Sequence, residues 1–469
     1  MTHTYDLIVR NANVVTASDK YFCDIGILKG RIVSLSEQLR KGLATQEVDA
    51  VGKIVTPGGV DAHCHLDQQM DGPARMADDF YTGTRSGACG GTTTVIPFAA
   101  QMKGHSLRQT IDDYHKRAYG RSSVDYAFHL IITDPTQRVL EDELPSMTRL
   151  GYTSFKIYMT YDELRLNDYQ ILSILDIAKR CGALTMIHAE NSDAIAYLTN
   201  RLIDQGCTAP IYHALSRPMA VEREATHRAI SLSELVDVPI LIVHVSGAEA
   251  IQQISLARSK GLKVYAETCP QYLLLTQEDL GGNGFCGAKV VCSPPPRDKS
   301  NQLEVWRALS GGLFDIFSSD HAPFNYDSPV GKMLSGGYPT FPYIPNGIPG
   351  IETRLSLLYT EGILTGKITL QQFVSLTSTN PAKIYGLYPR KGTIAIGSDA
   401  DLVVWDTDCN FILHNEALHH AVDYTPYEGH LMHAWPSVTI LRGSIIWENN
   451  TFHGRPGGGK FLKCGSPIL

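Results

Sequence analysis

Apolar positions near the N-terminus fall in short runs, Leu7-Ile8-Val9, Val14-Val15 and Ile25-Gly26-Ile27-Leu28, the last followed by Lys29-Gly30-Arg31 and then Ile32-Val33. Runs this short, broken by turn residues, predict strands rather than helices. A matching pattern returns near the C-terminus in Asp401-Leu402-Val403-Val404-Trp405, Val438-Thr439-Ile440-Leu441 and Ile445-Ile446-Trp447. The two strand-rich ends are therefore expected to pair into one small β unit, a β-sandwich built from residues 1–55 and 391–469.

Between them the pattern changes. Short apolar strands alternate with longer amphipathic stretches, the signature of βα units around a parallel sheet. Eight candidate strands end near His63, Pro97, Ile132, Tyr158, His188, His244, Thr268 and Asp320, with helical periodicity between them at 168–180, 222–236 and 248–259. Eight strands with interposed helices fit a closed TIM (β/α)8 barrel better than an open doubly wound sheet, so residues 56–390 are assigned to an α/β barrel. A chain of 469 residues would by length alone suggest about three domains, but one barrel of roughly 250 residues or more plus one small unit accounts for it equally well.

Composition narrows the partners. A hydrophobic fraction of 43% and a charged fraction of 19% describe a globular chain with ample core material. The formal net charge of -7 argues against a nucleic-acid or anionic-membrane surface, which needs clustered Lys and Arg, and leaves small uncharged ligands. The first residues lack the basic and apolar regions of a signal peptide, and no later run is long enough to span a bilayer. Ten cysteines, scattered and without a Cys-x-x-Cys pair, suit a reduced cytoplasmic protein. Gly281-Gly282-Asn283-Gly284 and Gly457-Gly458-Gly459 lack the remainder of a phosphate loop.

The chemistry gathers at strand ends. In Val60-Asp61-Ala62-His63-Cys64-His65 the two imidazoles are two residues apart, so an extended chain presents both to one cation. Ser154-Phe155-Lys156-Ile157-Tyr158 carries a lysine inside an apolar strand, Thr185-Met186-Ile187-His188 and Leu241-Ile242-Val243-His244 each end in histidine, and Phe317-Ser318-Ser319-Asp320 ends in aspartate. A barrel keeps its reactive groups at the C-terminal ends of its strands, and histidines that merely fill a core have no reason to choose that edge repeatedly. Lys156 is the sharpest signal, because an ammonium is costly to bury and has no lone pair for a metal. Burial favours the neutral amine, which can add carbon dioxide to give a carbamate with two anionic oxygens.

With these residues in view the chain resembles the cyclic amidohydrolases, and within them the dihydropyrimidinase and D-hydantoinase group. The resemblance covers nearly the whole length. It rests on Pro57-Gly58-Gly59-Val60-Asp61-Ala62-His63-Cys64-His65, Gly90-Gly91-Thr92-Thr93, Ser154-Phe155-Lys156, His188-Ala189-Glu190, His244-Val245-Ser246, Glu267-Thr268-Cys269-Pro270-Gln271-Tyr272, Ser319-Asp320-His321-Ala322-Pro323-Phe324, Ile344-Pro345-Asn346-Gly347, Asn380-Pro381-Ala382-Lys383 and Gly397-Ser398-Asp399-Ala400-Asp401-Leu402. It implies two Zn²⁺ per subunit, replaceable by Co²⁺ or Mn²⁺. One is held by His63, His65 and Asp320, the other by His188 and His244, with Lys156 carboxylated by CO2 (N6-carboxylysine) as the bridge. It further implies that Asp320 shuttles the proton, that the Tyr161 hydroxyl faces the tetrahedral intermediate, and that backbone groups at Ser293 and Asn346 bind the cyclic amide. The implied reaction opens dihydropyrimidines or 5-substituted hydantoins to N-carbamoyl amino acids, in a homotetramer, and leaves the C-terminal tail free to reach a neighbour.

Two segments depart from the pattern of familiar members, Leu66-Asp67-Gln68-Gln69-Met70 and Ile96-Pro97-Phe98-Ala99-Ala100-Gln101. Both fall where barrel loops shape the pocket around a substrate's exocyclic group. Imidase and allantoinase activities are the alternatives. A dihydroorotase would need an arginine for the substrate carboxylate, and none is identifiable. A non-catalytic assembly homologue would lack the ligands, whereas all six positions are filled here.

Overall fold

The computed structural model describes residues 4–468 except residues 71 and 283. Strand Tyr5–Val15 organises the first sheet, pairing antiparallel with Lys20–Leu28 and parallel with Ala44–Asp49 and Ile54–Pro57. Ile54–Pro57 then pairs antiparallel with Leu402–Asp406, placing Val55 opposite Val404, and Trp435–Leu441, Ser444–Glu448 and Thr451–Phe452 extend the sheet. Both chain ends thus share one sheet, as their strand patterns predict.

The two-residue period of a strand explains how this sheet sits on the rest of the chain. Leu402 and Val404 enter a cluster with Leu7, Val9, Val55 and Ile440. Their neighbours Val403 and Trp405 point to the opposite face and join the core of the barrel, where the Trp405 ring stacks on Tyr359 at 5.0 Å. All four are buried, and each large side chain removed from water this way stabilises the fold by about 1.5–3 kcal/mol.

The second sheet runs in parallel through Gly59–Cys64, Thr92–Ala100, His129–Ile131, Ser154–Tyr158, Leu184–His188, Ile240–Ile242, Val264–Thr268 and Ile316–Phe317. A parallel bridge from Cys64 to His321 brings the first and last strands together and makes the array a barrel. Helices Asp168–Cys181, Met219–Val236 and Ala248–Ser259 occupy the three stretches with helical periodicity. The first is fixed at both ends, by an Asn167–Gln170 capping box and by left-handed Gly182. The second begins three residues before the apolar period becomes visible, directly after its N-cap Pro218, whose backbone is extended, so the proline marks the boundary at which the helix starts whatever the polarity around it.

A buried charge cluster ties the sheet to the barrel. Lys391 Nζ lies 2.7 Å from Asp125 Oδ2, 2.6 Å from Asp401 Oδ2 and 3.1 Å from Asp399 Oδ2, and Arg442 pairs with Asp125 from the other side. The C-terminal tail also binds the barrel of its own chain. Leu462 N donates to Tyr126 O and Cys464 N to Gly151 O, while the Phe461 ring packs on His115 and Phe128. Among the described residues no helix is long and apolar enough to cross a membrane, and all ten cysteines are free.

Candidate active site

Parallel strands covered on both faces are apolar throughout, so each polar residue in one is an exception that calls for a partner. His63 lies near the end of strand Gly59–Cys64 and His65 directly after it, Lys156 sits in the middle of Ser154–Tyr158, and His188 ends Leu184–His188. His244 and Asp320 lie just past Ile240–Ile242 and Ile316–Phe317. All six are buried.

They converge on one point. A ring nitrogen from each of His63 and His65 and an oxygen of Asp320 lie within 4.8 Å of one another, with Asp320 Oδ1 3.1 Å from His63 Nε2 and 3.3 Å from His65 Nε2. The His63 and His244 ring centroids are 5.3 Å apart and those of His188 and His244 4.5 Å. Lys156 Nζ is 5.0 Å from the centre of the Phe98 ring, which His63 meets edge-on, and 5.2 Å from that of Tyr158, which stacks on His188. The nitrogen is fully buried and has no hydrogen-bond partner, as has His244 Nδ1. Burial holds the lysine down to about 8, which makes the neutral amine accessible near neutrality. A buried amine and a buried imidazole nitrogen with nothing to bind fit a cation-bridging group well, since each such atom otherwise costs about 1–3 kcal/mol.

In three of the four histidines, His63, His65 and His188, one ring nitrogen is engaged by an oxygen, which fixes the other as the electron donor. His63 Nδ1 donates to Glu267 Oε1 at 2.6 Å, and the same oxygen accepts the His244 backbone N–H at 3.1 Å. His188 Nε2 donates to Glu190 Oε2 at 2.7 Å, and His65 Nδ1 to Gln68 Oε1 at 2.6 Å. Glu190, Glu267 and Gln68 were given no role from sequence. For Glu267 a signal was available, a carboxylate inside an apolar strand like the lysine of Ser154–Tyr158. Burial pushes the Asp320 carboxyl up, but the imidazoles of His63, His65 and His244 outweigh it and hold the group well below the usual carboxylate range. His244, Asp320 and Tyr161 all have positive φ, at 38°, 48° and 66°. Such backbone strain is concentrated where side chains must be aimed.

Above the convergence point lies a cavity of about 260 Å³ lined by His63, His65, His188, His244 and Asp320 and, on its other walls, by Tyr161, Ser293 and Asn346. Asn346 Nδ2 reaches the Tyr161 hydroxyl at 3.4 Å, and burial pushes that phenol up to about 12, so it stays a proton donor at neutral pH. Gln68, Gln69, Met70, Ala100 and Gln101 form part of the lining, which places both departing segments at the mouth. Lys103 and Glu163 are the charged side chains there besides Asp320, and among the described lining residues no arginine is present to hold a substrate carboxylate.

The amidohydrolase family profile matches residues 54–446. A D-hydantoinase from Ralstonia pickettii is 44% identical over 459 residues, covering 98% of each chain. A D-hydantoinase from Geobacillus stearothermophilus is 44% identical over 457 residues, covering 97% of this chain and 96% of its own. The crystal structure of a dihydropyrimidinase from Brevibacillus agri NCHU1002 superimposes with a TM-score of 0.95 at 42% identity, over 98% of this chain and 99% of the other. With the family match spanning both the barrel and the strands that flank it, the chain belongs to the amidohydrolase family, among its D-hydantoinase and dihydropyrimidinase members.

Proposed function

We propose that the protein hydrolyses the cyclic amide bond of dihydropyrimidines or 5-substituted hydantoins to N-carbamoyl amino acids, using two zinc ions bridged by carboxylated Lys156. The observation that carries this reading is the unpartnered Lys156 amine, fully buried among His63, His188, His244 and Asp320. His63, His65 and Asp320 would hold one ion, His188 and His244 the other. When bound, the pair supplies Lewis acidity toward the ring carbonyl and activates water near neutral pH.

The chain's own groups account for the remaining steps. Asp320, kept ionised by its imidazole neighbours, accepts a proton from the attacking water and delivers it to the leaving ring nitrogen, a transfer typically worth about 10²–10⁴ in rate. Tyr161, still protonated, donates to the oxygen on which negative charge develops. Main-chain groups at Ser293 and Asn346 read the amide edge of the substrate. That edge is cis in a ring, whereas an open-chain amide must be forced cis at about 2.5–4 kcal/mol. Specificity for small neutral rings follows, with the exocyclic group chosen by the segments around Gln68 and Gln101. The reading extends to a homotetramer, as the family resemblance implies, and to the cytoplasm, in keeping with the free cysteines.

The test is a substrate panel on zinc-loaded protein, comparing hydantoin, dihydrouracil, phenylhydantoin and succinimide with an open-chain amide. Release of N-carbamoyl amino acids from the first three is expected. Preference for succinimide would make the enzyme an imidase, and cleavage of the open-chain amide alone would overturn the ring reading.

A further inference from the structure

Lys332 is fully buried and no carboxylate pairs with it among the described residues. Its amine donates instead to two main-chain carbonyls, Val291 O at 2.9 Å and Pro345 O at 2.6 Å. These carbonyls belong to the two separate segments that carry Ser293 and Asn346. The segments also touch directly, through Gly347 N donating to the same Val291 O at 3.0 Å. The lysine enters from the loop that follows Asp320, its Nζ 5.8 Å from the centre of the Phe324 ring. Gly331 makes the entry possible, because a Cβ there would fall 2.0 Å from Asn325 O, the carbonyl that binds the Lys332 N–H.

We infer that Lys332 is a positioning residue for substrate, clamping the segments of Ser293 and Asn346 at the spacing that reads the ring's amide edge. The inference rests on the reading of those segments under the proposed function. A peptide group is planar, so holding the Pro345 carbonyl orients the Asn346 N–H at the other end of the same plane. A donor on the carbonyl also polarises the peptide and strengthens that N–H. A neutral amine offers two hydrogens for the two carbonyls, and burial pulls Lys332 down to about 7, so the clamp persists as the pH crosses neutrality. A lysine that only filled space would be better replaced by a thioether of similar length, since burying the amine is costly. The groove it holds faces the cavity, which Ser293, Phe324, Asn346 and Gly347 all line.

The experiment measures KM and kcat for dihydrouracil with zinc-loaded wild type, Lys332→Met and Lys332→Gln, with zinc content and melting temperature recorded for each. Lys332→Met is expected to raise KM by about tenfold or more, leaving zinc content unchanged and kcat within about threefold of wild type. Lys332→Gln keeps two N–H donors on a shorter arm and should recover part of the loss. Unchanged KM in a folded variant would overturn the inference. So would a marked loss of kcat and zinc content alongside the change in KM, or recovery of neither variant in folded form, since each makes Lys332 a residue of the fold alone. Wild-type protein that opens no ring would instead overturn the proposed function, so the two failures are separable.

Discussion

Two buried lysines on the same barrel are treated in opposite ways. At the seam with the end-sheet, Lys391 is surrounded by Asp125, Asp399 and Asp401, and these carboxylates raise its proton affinity despite burial. Beneath the cavity, Lys156 is equally buried, has no hydrogen-bond partner, and is held down to about 8. The first is a satisfied ion cluster that joins two parts of the fold. The second is an unsatisfied group the fold alone does not explain, and an unexplained cost is what marks a reactive site. Burial of a charge-bearing residue is thus uninformative until its partners are counted.

The comparison breaks most visibly in the cluster beneath the cavity. Lys156→Ala should lose the bridge and with it most bound zinc, lowering turnover by more than about 10⁴, since cation catalysis contributes several kcal/mol. Lys156→Arg should do no better, because guanidinium stays protonated and forms no carbamate. Short carboxylic acids should partly rescue the alanine variant by replacing the lost oxygens. Wild-type rates from the arginine variant would refute the bridging role. Next in size is Asp320→Asn, expected to lower turnover by about 10²–10⁴ through loss of proton transfer. Metal analysis in parallel separates that loss from loss of zinc, and turnover within a few-fold of wild type with zinc retained would make Asp320 a ligand only.

The seam should respond in stability instead. Lys391→Met leaves three carboxylates without their shared cation in a dry site, and breaking a buried cluster from one side costs about 3–5 kcal/mol. Denaturant unfolding should show this as a lower midpoint, while the folded fraction keeps wild-type KM and kcat. A variant that unfolds like wild type would mean that the arginines already paired with the cluster, Arg442 on Asp125 and Arg390 and Arg31 on Asp399, neutralise it without the lysine.

What the sequence disclosed follows the same division. Strand ends, the barrel and the pairing of the termini were legible because each rests on a local period or on which residue closes an apolar run, as with His188 and His244. The departure of residues 66–70 and 96–101 from the family pattern, at positions where barrel loops shape the pocket, likewise pointed to the cavity lining that Gln68 and Gln101 share. The partners were not legible. Glu267 meets His63 across 204 positions and Lys391 meets Asp125 across 266, and nothing local to one residue of such a pair announces the other. Lys332 shows the limit well, since its partners are main-chain carbonyls that no side-chain pattern can encode. The start of helix Met219–Val236 was missed for a smaller reason, the entrance set by Pro218 rather than by apolar spacing.

The smallest effect sharpens the contrast through pH. Only a neutral amine adds carbon dioxide, and Lys156 is held at about 8 instead of its ordinary value near 10.5. Zinc-stripped protein resupplied with zinc at fixed dissolved CO2 should therefore regain activity about tenfold more slowly for each pH unit below 8 and at a level rate above it, following the neutral fraction. The sign for stability agrees. Because the folded value lies below the unfolded one, the unfolded chain binds more protons between pH 8 and 10.5, so the Lys156 contribution makes stripped protein more stable as pH rises through that window. Lys391, raised by its carboxylates, contributes in the opposite sense, with stability fully present below its unfolded value and lost only as the solution becomes more alkaline still. Comparing stripped wild type with stripped Lys156→Met isolates the first contribution, which should vanish from the difference above about pH 10.5. A recovery rate that does not change between pH 6 and 8 would show that carbamate formation does not limit assembly of the site, and the contrast between the two lysines would then be one of packing alone.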